Sequence, residues 1–222
     1  MFGIRVFAAL TAGLALSSGA ALAAGDAANG EKIALQGDGV GAPCIACHGP
    51  DGAGVDEAGF PRLPGLPAEY IAKQIRDYKS GARNNPIMQA NLSSLSEAQI
   101  VDVAAYYAGL PVPAMPARPA PAEAMALGEK LATEGDWSRH LPACESCHGP
   151  GSAGVDANFP GIAGQHATYL RQQLEAWRQG VRANDPLDVM SAVAERLTEA
   201  EIDAVAAYLA AQPVQRAQGG AK

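Results

Sequence analysis

The chain has 222 residues, of which 48% are hydrophobic and 18% are charged, and its formal net charge is −7. Acidic and basic residues are interspersed without a basic block, which argues against nucleic acid as a partner. The length allows one ordinary domain or two small ones, and a half of about 90 residues would be only marginally stable by itself. Aromatic residues make up only 5% of the chain, so a large apolar cofactor would help to fill such small cores.

Residues 1–23 have the pattern of an export signal. One early charge precedes an apolar run over residues 6–16, and Ala21-Leu22-Ala23 fits the small-x-small rule of a cleavage site. The alternative is an uncleaved membrane anchor, which the shortness of the run and the weak stop-transfer flank disfavour. We therefore expect a mature chain that begins at Ala24, has no integral membrane segment and lies in an exported, oxidising compartment.

The rest of the chain contains one pattern twice. "GEKIALQG" from Gly30 aligns with "GEKLATEG" from Gly128, and "LSEAQIVDVAAYYAGLP" from Leu95 aligns with "LTEAEIDAVAAYLAAQP" from Leu197. Such self-similarity at long period indicates a duplicated structural unit. The duplication divides the chain into four parts after the export signal: a first domain at 24–110, a proline-rich extended linker at 111–123, a second domain at 124–212 and a flexible tail at 213–222.

Both copies are predicted to be helical, because no segment shows the period-two alternation of a strand. The final helix of each copy begins with a capping box, formed by Ser96 with Gln99 and by Thr198 with Glu201. A middle helix in each copy gathers large side chains on one side, namely Tyr70, Ile71, Gln74, Ile75 and Tyr78 in the first and Tyr169, Leu170, Gln173, Leu174 and Trp177 in the second. The predicted class is all-α, with two tandem domains of a few helices each.

All four cysteines lie in two C-x-x-C-H motifs, as Cys44, Cys47, Cys144 and Cys147. A disulfide within C-x-x-C would close only a tight redox ring, and the sequence has no sign of the α/β unit that carries such pairs. Structural zinc commonly takes two C-x-x-C pairs within ~20 residues, much closer than these. C-x-x-C followed directly by histidine, here His48 or His148, is the attachment signal of c-type haem. Two thiols add across the vinyl groups of one porphyrin and the histidine lies beneath the iron, so the motifs predict two covalently bound haem c groups.

The second axial ligand of each iron must come from elsewhere in its copy. Thioether sulfur is a soft ligand, and with histidine it raises the reduction potential of haem. Met88 and Met190 stand at matching positions, each seven residues before the leucine that precedes the last helix, which favours ligation over core packing. The preceding proline is two residues away in one copy and four in the other, so the two loops cannot be identical. Met115 and Met125 have no repeat partner and are predicted to be packing or exposed residues.

The other histidines and two prolines complete the set of candidate residues. His140 and His166 have no histidine counterpart in the first copy, so we expect surface or capping roles rather than bis-histidine coordination. Pro61 and Pro160 follow the coordinating histidines in both copies. They are either ordinary loop prolines or residues whose carbonyls accept a hydrogen bond from the second ring nitrogen of the histidine and so fix its orientation.

With "CIACHG" and "CESCHG", "NPIM" and "DPLDVM", and the closing "VAAYYAGLP" and "VAAYLAAQP", the chain resembles class I c-type cytochromes. Its tandem arrangement resembles the dihaem cytochrome c4 family over essentially residues 25–212. The resemblance implies three or more helices wrapped around one covalent haem in each domain. It also implies that the first and last helices cross near a glycine and an aromatic residue, which here are Gly30 with Tyr106 or Tyr107, and Gly128 with Tyr208.

Three functions are compatible with two such domains. The resemblance implies a periplasmic one-electron carrier, soluble or loosely attached to the membrane surface, between a quinol–cytochrome c oxidoreductase and terminal oxidases or reductases. The alternatives are an electron-accepting subunit of a flavin or other dehydrogenase and a dihaem peroxidase. Two six-coordinate irons leave no position for a substrate, and no nucleophile–base constellation occurs, so a protein that is not an enzyme is favoured. A carrier and a subunit can share the same domains, and the sequence leaves both open.

The linker also predicts how the halves are arranged. A stiff connection of about a dozen residues keeps the two domains at high effective concentration. Each haem has an apolar edge that is costly to expose widely. We therefore expect the domains to dock as a pseudo-twofold pair, the alternative being two independent domains with loose contacts.

Overall fold

The computed structural model describes residues 25–115, 119–185 and 187–214. The predicted export signal, residues 1–23, lies outside these ranges, as do residues 215–222 of the predicted tail. No helix within the described ranges has the length and apolar character needed to cross a lipid bilayer.

The described residues form ten α-helices, three short 3₁₀ turns and no strand, which confirms the all-α prediction. The first copy contributes α1 (Ala27–Gln36), α2 (Ile45–His48), α3 (Ala68–Ser80), α4 (Pro86–Leu92) and α5 (Glu97–Gly109). The second contributes α6 (Ala122–Thr133), α7 (Glu145–His148), α8 (Ala167–Arg178), α9 (Val189–Glu195) and α10 (Glu199–Ala211). The 3₁₀ turns are Asp56–Ala58, Trp137–Arg139 and Pro150–Ser152. Five helices in the same order in each copy reflect the duplication read from the sequence.

The ends of the predicted linker and tail carry more structure than their composition indicates. Helix α6 begins at Ala122, inside the stretch 111–123 that we assigned to the linker. Val214, in the predicted tail, packs so closely on Gly164 that a Cβ added to this glycine would lie 2.3 Å from its Cγ2. The domain boundaries themselves stay a prediction.

Each domain is closed by a crossing of its first and last helices at a glycine. A Cβ on Gly30 would lie 2.1 Å from a backbone oxygen of α5 and 2.9 Å from the Cβ of Tyr106. A Cβ on Gly128 would lie 2.2 Å from a backbone oxygen of α10 and 2.6 Å from the Cβ of Tyr208. Any side chain at either glycine would force the helices apart. The crossing implied by the family resemblance is confirmed, and the aromatic residue against α1 is Tyr106 rather than Tyr107.

Local capping and a separate core hold each domain together. Both predicted capping boxes form, with reciprocal hydrogen bonds between Ser96 and Gln99 and between Thr198 and Glu201. Buried side chains from α1, α3 and α5 make the first core, and those from α6, α8 and α10 make the second. The middle helices α3 and α8 therefore have one face on their own core, as their spacing predicts.

The two domains dock, and a buried arginine lies at the centre of their contact. Arg62 is only 1% exposed. Its backbone amide donates to Oε1 of Gln165 at 2.9 Å, and Nε2 of Gln165 donates back to its carbonyl at 2.9 Å. Its guanidinium reaches the carbonyl oxygens of Ala163 and Gly164, each at 3.2 Å. The predicted docking is therefore confirmed, and the alternative of two independent domains is wrong.

Candidate haem sites

Each C-x-x-C-H motif forms one turn of helix. The amide of His48 donates to the carbonyl of Cys44 at 3.0 Å, and that of His148 donates to the carbonyl of Cys144 at 2.9 Å. Residues four apart on a helix are neighbours on one face, so the turn holds the first cysteine and the histidine side by side. A glycine with positive φ ends each turn and redirects the chain.

The four cysteines are free thiols, all half-buried. Burial raises the pKa of the Cys44 thiol, and it raises that of Cys144 to about 11, so both are neutral at physiological pH. The zinc alternative finds no support, because the described residues contain no group of three or more histidine, cysteine, aspartate or glutamate side chains that could hold a metal ion. Paired free thiols beside a cavity fit covalent attachment of a cofactor.

The motif histidines are buried and each is held by a proline carbonyl. Nδ1 of His48 lies 3.0 Å from the oxygen of Pro61, and Nδ1 of His148 lies 2.7 Å from that of Pro160. A carbonyl only accepts, so Nδ1 carries the hydrogen and Nε2 keeps its lone pair. Burial lowers the pKa of both imidazoles. The structure thus presents two neutral, oriented imidazoles that can each bind a metal through Nε2.

Met88 and Met190, which stand at matching positions in the two copies, lie in the first turns of short helices, but the loops that precede these helices differ. Met88 is the third residue of α4, and its amide donates to the side chain of Asn85 at 3.1 Å. Met190 is the second residue of α9, and its amide donates to Asp185 at 2.8 Å. The residue before α9, Asp188, has a left-handed backbone with φ of 53°. The unequal spacing in the sequence therefore corresponds to two differently built loops.

A continuous cavity of about 580 Å³ joins the two copies. Its lining is largely apolar and includes every predicted attachment and ligand residue, namely Cys44, Cys47, His48, Met88, Cys144, Cys147, His148 and Met190. Pro61 and Pro160 also line it. The structure therefore brings together, around one cavity, the residues that the sequence singled out, and their donor set fits haem.

The remaining candidates lie away from this cavity. Met115 and Met125 are half-buried and do not belong to its lining within the described ranges. His140 is exposed at the end of a 3₁₀ turn. His166 is the residue before α8, but its side chain makes no capping hydrogen bond, so the predicted capping role is wrong. Its Nε2 lies 2.8 Å from the carbonyl of Ala53 in the other domain. His166 is therefore part of the interface between the domains.

Sequence reasoning missed two arginines that face each other across the interface. Arg83 is 3% exposed and Arg182 is 9% exposed, and they pair as an antiparallel backbone bridge. Each guanidinium lies 4.6 Å above an aromatic ring of its own domain. Their hydrogen bonds are reciprocal: Arg83 contacts Gln74, Tyr169 and Gln173, and Arg182 contacts Gln173, Tyr70, Gln74 and Asn184. The signal that could have found them is a repeated arginine, at the end of "KSGAR" and of "RQGVR".

These arginines bear on the cofactor because both line the cavity. Within the described part of the chain, neither guanidinium forms an ion pair with a carboxylate. Buried charges are normally paired, since an unpaired one is costly. Haem carries two carboxylate groups, so the unpaired guanidinium groups of Arg83 and Arg182 are a second independent feature of the cavity that fits haem.

Comparison with known proteins agrees with this geometry. A profile of the cytochrome c family matches residues 27–110 and 125–212, one match in each copy. Reduced recombinant cytochrome c4 from Pseudomonas stutzeri matches with a TM-score of 0.75 and 35% identity, over 86% of this chain and 100% of that one. The chain belongs to the dihaem cytochrome c4 family. Family membership and the two C-x-x-C-H motifs indicate two covalently bound haem c groups in an electron carrier, not an enzyme that transforms a substrate.

Two other similarities concern thiosulfate dehydrogenases. This cytochrome is 49% identical over 173 residues to the thiosulfate dehydrogenase electron acceptor of Thiomonas intermedia, over 78% of this chain and 80% of that protein. It also matches the as-isolated thiosulfate dehydrogenase TsdBA from Marichromatium purpuratum, with a TM-score of 0.78 and 43% identity. That match covers 84% of this chain but 40% of the longer chain. The dihaem peroxidase alternative finds no support among these relatives.

Proposed function

We propose that this cytochrome is the electron acceptor of a thiosulfate-oxidising dehydrogenase and passes electrons on to a terminal oxidase or reductase. The supporting observation is that its 49% identity to a protein named as such an acceptor exceeds its 42% identity to the cytochrome c4 of Thiocapsa roseopersicina. The match to part of a longer thiosulfate dehydrogenase chain points the same way. The dehydrogenase-linked alternative from the sequence therefore becomes the first choice, ahead of a carrier supplied by a quinol-oxidising complex.

The proposed haem sites follow the two copies. The paired cysteines of each motif would hold one haem, with His48 and Met88 as axial ligands in the first domain and His148 and Met190 in the second. When bound, haem iron supplies a one-electron couple. The proline carbonyls keep each imidazole oriented, and the apolar walls exclude water, which together with a thioether ligand favours a high reduction potential.

The interface residues would complete both sites. Arg83 and Arg182 place positive charge where the cavity crosses from one domain to the other. We assign them to the carboxylate groups of the two haems, because charge-assisted hydrogen bonds from arginine to carboxylate are strong and directional. Two electrons released by thiosulfate oxidation, for example when two thiosulfate ions couple through a new S–S bond, would then enter one docked unit that has two one-electron centres.

The proposed compartment is the periplasm. The predicted export signal at 1–23 supports it, since c-type attachment motifs behind such a signal fit an exported protein. A donor and an acceptor in the same compartment could then exchange electrons by direct encounter.

The test is a reduction assay on the purified holo-protein. Oxidised protein is mixed with a catalytic amount of purified thiosulfate dehydrogenase and sodium thiosulfate, and absorbance of reduced haem is followed. We expect complete reduction by two electrons per chain, and no comparable reduction when the dehydrogenase is omitted. A parallel reaction uses quinol and a quinol–cytochrome c oxidoreductase. Fast reduction in that reaction together with none from the dehydrogenase would refute the proposal.

A further inference from the structure

The two domains differ at one buried polar atom beside the cavity. Tyr107 in α5 is 1% exposed, and its hydroxyl has no hydrogen-bond partner among the described residues. The aligned residue in α10 is Leu209, which is 3% exposed and has no polar side-chain atom. Both residues line the cavity. Only the first domain therefore presents a buried hydroxyl at this position.

An unpartnered hydroxyl in a protein interior is unfavourable, and native structures rarely contain one without a reason. The ring is closely packed, because the backbone at Gly52 leaves no room for a side chain against its Cδ1 and the Tyr106 ring packs on it edge to face at 5.0 Å. Cys44 packs against the buried cluster that contains Tyr107, and the hydroxyl opposes the effect of burial, which raises the pKa of that thiol. It does so without a hydrogen bond of good geometry to any described group.

The hydroxyl of Tyr107 can act only as a donor toward a cysteine that holds haem. Burial raises the pKa of Tyr107, so the oxygen keeps its hydrogen at physiological pH. Formation of the thioether removes the hydrogen of the Cys44 thiol and leaves a sulfur that is only a weak acceptor. With haem bound at Cys44, the positive end of the O–H dipole would be directed toward the sulfur.

We propose that Tyr107 raises the reduction potential of the haem in the first domain relative to that in the second, by donating a hydrogen bond toward the Cys44 sulfur. The inference rests on the attachment of haem at Cys44 proposed above. Reduction adds one negative charge to the haem, and a donor dipole aimed at it stabilises that charge more in a dry pocket than in water. Leu209 offers no such dipole, so the effect separates two sites that have the same predicted ligands.

The test compares Tyr107→Phe with Tyr106→Phe in the full-length holo-protein. Tyr107→Phe removes only the buried hydroxyl, whereas Tyr106 does not line the cavity and serves as the matched control. Spectroelectrochemical titration, with haem methyl signals in NMR to separate the two sites, measures both potentials. We expect Tyr107→Phe to reduce the equilibrium constant for reduction of the first haem by about two- to twelvefold, the range of one lost hydrogen bond. The second haem and the Tyr106→Phe protein should not change.

Two results would overturn the inference: unchanged potentials in Tyr107→Phe, or a first haem that becomes easier to reduce. Mass spectrometry of the peptide that contains Cys44 distinguishes a wrong role for Tyr107 from a failure of the proposed haem attachment. If that peptide carries no haem, the proposed attachment is wrong. If it carries haem and the potential does not fall, the attachment holds and the role of Tyr107 is wrong. Equal melting temperatures of the two variants would show that the shift does not come from unfolding.

Discussion

Replacement of Arg62 by methionine should loosen the contact between the two domains. The guanidinium of Arg62 donates to three backbone carbonyls, those of Ala163 and Gly164 in the second domain and that of Pro64 in its own. Burial lowers the pKa of Arg62 from its usual value to about 10. This change in pKa means that burial disfavours the charged form of the Arg62 guanidinium by about 3 kcal/mol.

The hydrogen bonds outweigh this cost. A hydrogen bond from a charged donor contributes about 1.5–3 kcal/mol, so the three together exceed the desolvation of Arg62 by about 1.5–6 kcal/mol. The two that cross to the second domain contribute about 3–6 kcal/mol before this cost is subtracted. Methionine keeps much of the aliphatic volume but donates nothing, and it leaves the carbonyls of Ala163 and Gly164 without this partner. The two lost interdomain bonds less the desolvation cost amount to up to about 3 kcal/mol, and each carbonyl left unsatisfied adds about 1–3 kcal/mol. Arg62→Met should therefore destabilise the docked state by about 2 kcal/mol or more.

Urea unfolding of the holo-protein measures the loss. Both tryptophans, Trp137 and Trp177, lie in the second domain, so their fluorescence follows that domain while haem absorbance follows both. We expect coincident transitions in the wild type and separate, earlier ones in Arg62→Met. Arg76→Met is the control, since Arg76 is 44% exposed and pairs with Glu97 of its own domain, a contact worth less than about 1 kcal/mol. Equal stability of the two variants would refute the reasoning.

Four further outcomes follow from the same contacts. The intact mass after acid denaturation should exceed that of the mature polypeptide by two haem masses, and a gain of one haem or of zinc would contradict the assigned motifs. Met190→Ala should remove about half of the thioether-to-ferric-iron charge-transfer absorption and lower one potential; an unchanged spectrum would indicate another ligand. Arg83→Gln removes a buried positive charge, so it should make the free energy of haem reduction less favourable by on the order of 1 kcal/mol. A redox titration would show this as lower reduction potentials, whereas unchanged potentials would place the haem carboxylates elsewhere. Hydrogen bonds from Ser138 and Arg139 lower the pKa of Asp136 to about 2, so its stabilising effect is present above pH ~4 and is lost as the pH falls toward ~2. The difference in melting temperature between wild type and Asp136→Asn should shrink accordingly over that interval, and a difference independent of pH would contradict it.

The helices and the haem motifs could be predicted because their signals are local. A capping box spans four residues, and Ser96 with Gln99 forms the same contacts in the structure that its letters predict. The C-x-x-C-H motif is likewise a single helical turn, whose chemistry follows from spacing alone. The duplication strengthened each of these signals, since a residue such as Met88 could be judged against its counterpart Met190.

The interface could not be predicted in the same way, because its contacts join residues far apart in sequence. In the sequence, Arg62 has the features of an ordinary loop arginine. In the structure its backbone forms two hydrogen bonds with the side chain of Gln165 from the other domain. Nothing in the first copy indicates that His166 of the second would reach the carbonyl of Ala53. Which polar residues become buried depends on how two finished domains meet, and periodicity within either domain carries no information about that.

The duplication also constrains where a difference between the two haems can arise. Both sites have the same predicted ligands and the same kind of proline carbonyl behind the imidazole, so these features cannot by themselves separate the two potentials. The arginines are reciprocal across the interface, so in the proposed assignment they would act on both sites. What remains are the residues at which the copies depart from each other, chiefly Tyr107 against Leu209 and the unequal loops before the two methionines. A direction for electron flow between the domains must therefore come from these departures.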